Sequence, residues 1–211
     1  IEADAQGVLA TLRAETLVRS RGGEAQARDE VEIYHDKIRE TVLSTLSEEE
    51  LKTRHRRLAR ALSSTDGDAE MLAAHFMYAG EKALAAEYAE KAAERATAAL
   101  AFSRAAEMYE MALDANVGST AGKSGGLYVK LAEALLSAGR SRDAADRFLQ
   151  AAKAALRIGA GKTMSADALE LRRRAAEQLL FCGRIDEGLK VVEQILSAMK
   201  MRAPATRWGA V

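Results

Sequence analysis

The stretch YVKLAEALLSAGRSRDAADRFLQA, residues 128–151, decides the fold. Tyr128, Leu131, Ala132 and Leu135 recur at helical spacing before Gly139, and Ala144, Phe148 and Ala151 do so after it. A glycine that stops one apolar helix just before another begins reads as a left-handed cap residue joining an antiparallel helix pair. Small residues fall where the two helices must touch, and large ones fill the gaps between them.

The pattern returns along the chain. Around Gly183 the same offsets give Ala175, Ala176 and Leu179, then Gly188, Val192 and Ile195. Around Gly80 they give Leu72, Ala73 and Phe76, then Ala85 and, one position early, Tyr88. A further helix holds Ala105, Ala106, Tyr109 and Ala112. This register resembles the tetratricopeptide repeat, although Gly139 and Gly183 are 44 residues apart where a regular array repeats about every 34. Seven helices are expected, at about 68–79, 82–98, 101–115, 126–138, 141–157, 165–182 and 185–201. The expected fold is all-α: a tetratricopeptide-like α-α superhelix over 65–202, preceded over 1–64 by a partial winged-helix unit with a short β-hairpin. The tail, 203–211, is expected to fray or to dock elsewhere.

Composition agrees. With 211 residues, 48% of them apolar and only 5% aromatic, the chain can bury a core, and its many alanines favour closely packed helices. Thirty-one basic residues balance 31 acidic ones, so no net field draws the chain to nucleic acid or anionic lipid. No apolar run approaches the ~20 residues that span a bilayer, and no membrane partner is expected. No secretory signal is present, and a start at Ile1 suggests an excised fragment. Cys182 is the one cysteine, fits a reducing cytoplasm, and reads as inert packing on an apolar helix face.

In the first region, Val8, Leu9, Leu12, Leu17 and Val18 form a helical stripe closed by Gly22-Gly23. Polar residues 24–30 lead into Val31-Glu32-Ile33-Tyr34, whose alternation suits a short strand. Asp36 is placed to cap a helix over Lys37–Leu46 with Ile38, Val42, Leu43 and Leu46 on one face. Ser47-Glu48-Glu49-Glu50 is a capping box for the next helix, which carries Leu51, Leu58 and Leu62.

Several segments imitate chemical motifs. Gly118–Ser124 and Gly159–Thr163 have three and one residues before Gly-Lys, where a phosphate-binding loop needs four and a preceding strand. Both read as linkers between helices. His35, His55 and His75 lack neighbours at triad or metal-ligand spacing. His75 and His55 read as ordinary boundary or surface residues. Arg54-His55-Arg56-Arg57 follows Glu48-Glu49-Glu50 on one helix, the order that a helix dipole prefers, and reads as a solvated face. No catalytic or metal-ligating set is identified. His35 stands out by its setting, because the amides that open the following helix, with an imidazole donor beside them, suit a phosphate.

Tyr34-His35-Asp36-Lys37-Ile38-Arg39-Glu40-Thr41-Val42 resembles the end of the ATPase module in bacterial STAND-type signalling proteins. So do Arg54-His55-Arg56-Arg57-Leu58-Ala59, Leu72–Phe76 with Ala79-Gly80, and Leu100-Ala101-Phe102 with Ala105–Tyr109. The resemblance spans about Leu9 to Leu113. Such chains join a kinase, cyclase or LuxR-type regulator to an AAA-like ATPase and then to helical repeats. The resemblance implies a Met-His-Asp motif whose histidine meets the β-phosphate of ADP. His35 and Asp36 fall on its last two residues, with Tyr34 in place of methionine. ATP or ADP and magnesium would belong to the parent module and no cofactor to this chain, which lacks the phosphate loop and metal-binding strand, so His35 is expected to be idle here.

By repeat register, a protein-binding groove along the first helix of each pair would show Met77, Tyr78, Leu136, Ser137, Leu180 and Phe181. Val129 and Glu133 stand where carboxylate-clamping repeats carry Lys and Asn, which argues against that mode. The leading expectation is a non-enzymatic scaffold, part of a STAND ATPase linked to a serine/threonine kinase. It would bind a protein partner or neighbouring domains of its own parent. The alternative is a DNA-contacting segment of a LuxR/MalT-like regulator, using Arg19, Arg21 and Arg28 or the Arg54–Arg57 run; nucleic acid is otherwise not expected.

Overall fold

A computed structural model describes residues 2–21, 30–64, 67–116, 121–158 and 165–201. The chain divides into two compact units, Ile1–Arg54 and His55–Val211. The division falls inside a helix, whereas the sequence reading set it after Ser64. The reason is that Ala59 is fully buried and clusters with residues of the array, which claims the second half of that helix.

In the first unit, α1 (Glu2–Ala14) ends with Thr16 in the left-handed region, φ 55°. The Leu17 amide donates to the Leu12 carbonyl at 3.0 Å and closes the turn. Leu17 and Val18 therefore do not continue the α1 stripe. Val18 opens β1 (Val18–Arg21), which pairs antiparallel with β2 (Glu30–Ile33) in the register Val18–Ile33, Arg19–Glu32, Ser20–Val31 and Arg21–Glu30. The apolar pair Val18–Ile33 and the 3.0 Å ion pair Arg19–Glu32 fix that register. Gly22-Gly23 and Arg28 lie outside the described residues.

His35, not Asp36, is the N-cap of α2 (Asp36–Thr45). Its extended backbone (φ −131°, ψ 133°) turns its carbonyl to accept from the Ile38 amide at 3.0 Å, while Asp36 already has helical geometry. The capping box is present at α3 (Glu48–Ser63). The Ser47 amide donates to the Glu50 carboxylate at 2.9 Å, and the Glu50 amide donates back to the Ser47 hydroxyl at 3.3 Å. Those donors hold the Glu50 carboxyl below the usual carboxylate range, the Ser47 backbone amide first.

The second unit holds the rest of α3 and seven further helices among the described residues. They are α4 (Ala69–Tyr78), α5 (Lys82–Ala98), α6 (Phe102–Ala115), α7 (Ala121–Ser137), α8 (Ser141–Ile158), α9 (Ala166–Phe181) and α10 (Ile185–Ala198). All seven lie within a few residues of their expected places, the largest difference being the start of α7. Ala121–Ser124, expected in a linker, already belong to α7. Gly159–Thr163 and the tail lie outside the described residues.

From α4 to α10 each helix packs against its neighbours in sequence. Ion pairs then join each to the next but one. Glu70 of α4 meets Arg104 of α6, Glu110 of α6 meets Arg147 of α8, and Asp146 of α8 meets Arg184 just ahead of α10. On the other side, Glu90 and Glu94 of α5 hold Lys130 of α7, and Glu133 of α7 holds Arg174 of α9. The helices thus form two rows, α4–α6–α8–α10 and α5–α7–α9. Partly exposed pairs of this kind contribute ~0–1 kcal/mol each, so they set register while the apolar seam supplies the stability. That seam is mainly alanine, fully buried at 73, 85, 89, 93, 105, 106, 112, 132, 144, 145 and 175, with Leu131, Leu135, Phe148 and Leu179 filling the spaces. Each such large side chain contributes ~1.5–3 kcal/mol by leaving water.

Candidate docking surface

The rows decide which helices share a face. Ala93, Ala96, Ala105, Tyr109 and Ala112 repeat the offsets of Ala132, Leu135, Ala144, Phe148 and Ala151. Ala73, Phe76, Ala85, Ala89 and Ala92 repeat them too, and the ion pairs decide. Glu94 of α5 receives Lys130 of α7 as Glu133 of α7 receives Arg174 of α9, so α5 and α6 are a repeat pair like α7/α8 and α9/α10. The helix bearing Ala105 is not the extra one of the sequence reading. Its turn lacks the glycine found at 80, 139 and 183. Leu100 takes the left-handed conformation there (φ 58°), and the Ala101 amide donates to the Ala96 carbonyl at 2.8 Å.

Consequently the six expected groove residues do not line one groove. Met77 and Tyr78 sit on α4, in one row; Leu136 and Ser137 on α7 and Leu180 and Phe181 on α9 sit in the other. Three of them also turn inward. Met77 and Leu136 pack against the core, and Leu180 lies over Gly188 of α10, so closely that a Cβ there would stand 2.8 Å from it. Tyr78, Ser137 and Phe181 face solvent, Phe181 with 83% of its surface exposed.

On the α5–α7–α9 row, the Lys130 ammonium donates to Glu90 at 2.7 Å and Glu94 at 2.8 Å, which holds it protonated well above the ordinary lysine range. A cleft of about 520 Å³ opens beside it, lined by Ala83, Glu87, Glu90, Gly126 and Lys130 among others. The Arg174 guanidinium lies 4.2 Å from the centre of the Phe148 ring while donating to Glu133, joining the ladder to the core.

The structure brings together one pair that the sequence reading left apart. The Nδ1 atoms of His55 on α3 and His75 on α4 are 2.9 Å apart, and Tyr78 stacks on His55 with ring centres 4.9 Å apart. Burial first, and the His55 charge second, push the His75 imidazole below its usual value. Beside them Arg56 donates to Glu81 at 2.7 Å. The Arg54–Arg57 run is thus no uniform solvated face, since two of its members are engaged by the array. His35 is exposed, its ring T-shaped to that of Tyr34 with centres 4.8 Å apart, and Asp36 is exposed 4.0 Å from Arg39. Cys182 is half-buried, with Sγ 3.4 Å from the Leu179 carbonyl. Among the described residues no cluster of three or more His, Cys, Asp or Glu could hold a metal ion, and no helix is long and apolar enough to cross a membrane.

No protein-family model matches the chain, and no curated protein matches it. It is similar to a crystal structure of the nearly identical TPR-like repeats of a Podosopora anserina kinesin light chain. The identity is 14%, over 78% of this chain and 83% of that one, with a TM-score of 0.43. A single-substitution variant of the same protein gives 14%, 77%, 82% and 0.42.

Proposed function

We propose that this chain is a non-catalytic docking scaffold, the helical-repeat segment of a multidomain STAND-type ATPase joined in its parent to a serine/threonine kinase. The observation that carries the docking part is Phe181, a large aromatic left almost wholly in water on the α5–α7–α9 row. Such side chains anchor interfaces when a partner removes them from solvent. The occupant would be a protein segment or a neighbouring domain of the parent. The ATPase lineage rests on the resemblance around Tyr34–Val42, and His35 would meet a nucleotide only beside the parent's phosphate loop.

Peptides selected on phage against the whole chain test the docking role. The best binder, measured by calorimetry, is expected to lose at least tenfold in affinity with Phe181→Ser. Equal affinity for both proteins would refute it. For the lineage, ADP should bind a parent protein that contains this chain and should bind it more weakly after His35→Ala. No change on that substitution would remove the assignment of His35.

A further inference from the structure

The two rows repeat closely enough to mark a face that, among the described residues, no following helix covers. Ala106 of α6, Ala145 of α8 and Leu189 of α10 follow, by one residue, the small residues Ala105, Ala144 and Gly188 of the shared register. Ala106 and Ala145 are 0% exposed; Ala145 clusters with Ala176 and Leu179 of α9, the helix that follows its own. Leu189 is 50% exposed. It continues a stripe with Ile185, half-buried Leu196 and Met199. On α8 the residue equivalent to Leu196 is Ala152, which is buried.

The charges point to the same place. Glu94, Glu133 and Glu177 are equivalent residues of α5, α7 and α9. Glu94 receives Lys130 at 2.8 Å and Glu133 receives Arg174 at 3.1 Å, and these two bases are themselves equivalent. Glu177, still largely exposed, contacts Arg173 of its own helix at 3.3 Å. The ladder has a further carboxylate in position for the base of a following helix.

We propose that the outer face of α10, together with Glu177, is a stacking site for one more repeat of the same kind. The occupant is an amphipathic helix that covers Leu189 and Leu196 with its apolar side and brings a lysine or arginine against Glu177. Apolar burial drives the contact and the ion pair sets its register.

A second copy of residues 159–201, inserted after Met201 ahead of residues 202–211, tests this. The inserted α9-like helix supplies both the apolar stripe and the base. The enlarged chain is expected to melt in one transition, several degrees above the 211-residue chain. Leu189→Asp should abolish the gain. Glu177→Lys should reduce it at low salt, and reversing the inserted equivalent of Arg174 to glutamate should restore it. A separate transition for the inserted repeat, or a gain indifferent to Leu189→Asp, would overturn the proposal. So would a 211-residue chain that sediments as a dimer and is dissociated by Leu189→Asp, since a second copy would then hold the face. A large loss of stability from Leu189→Asp in the 211-residue chain would show the stripe already covered, and would also overturn it.

Discussion

Leu100 stands in the turn after α5 where Gly139 stands in the turn after α7, seven residues beyond the equivalent alanines 93 and 132, with φ of 58° against 77°. A β-carbon in that region costs about 1–2 kcal/mol. Because Leu100 is 73% exposed, it gains little from packing in return. Leu100→Gly is therefore expected to stabilise the chain by about 1 kcal/mol, read from urea unfolding. A variant that unfolds at lower urea would mean that the leucine makes contacts in solution that outweigh the strain.

The ladder predicts a charge-reversal cycle. Glu133→Lys and Arg174→Glu should each destabilise. The double reversal should recover an interaction of about 0.5 kcal/mol at low ionic strength, and about 1 M salt should erase it. Arg174→Glu alone should cost more than Glu133→Lys, because it also removes the guanidinium from the face of Phe148. An additive cycle at low salt would deny the pair any role in register.

The paired histidines predict a pH dependence. His75 in the fold lies below its usual value, so between that value and about 6.5 the unfolded chain binds more protons than the folded one. Its contribution is complete above pH ~6.5 and falls away as the solution is acidified through the folded value. His75→Gln should flatten the corresponding slope of melting temperature against pH. An unchanged slope would assign it to other groups.

Two phenylalanines should behave oppositely. Phe148 is fully buried, and Phe148→Ala is expected to cost about 3–5 kcal/mol. Phe181→Ala should stay within about 0.5 kcal/mol, as at most exposed sites. Calorimetric melting of both variants measures the contrast, and a large cost at Phe181 would place it in a packed interface.

Much of this fold is written in the sequence because alanine and glycine mark it: glycine where a left-handed residue ends a helix, alanine where axes approach. What was illegible has physical reasons. A leucine gives no signal of positive φ, so the turn at Leu100 was invisible. Helix α5 then offered alanines in register with either neighbour, and only the ladder settles the pairing. Leu17 and Val18 read as helical in the sequence because two residues cannot distinguish a period of 3.6 from one of 2. His55 and His75 lie 20 residues apart on different helices, beyond the reach of local spacing. The Tyr34–Val42 segment could be placed on a hairpin and helix from its pattern, but a nucleotide role draws on resemblance rather than on groups gathered there.

A chain sewn only to its nearest neighbours need not come apart all at once. Among the described residues, the main helix contacts and cross-helix ion pairs from α4 to α10 reach the next helix or the next but one, so assembly can begin at any central pair and zip outward with little loop entropy to overcome. Dissolution should run the other way, beginning at the α10 edge. Amide protons there should exchange fastest, and those of α7 and α8, clasped on both sides, should be the last to yield.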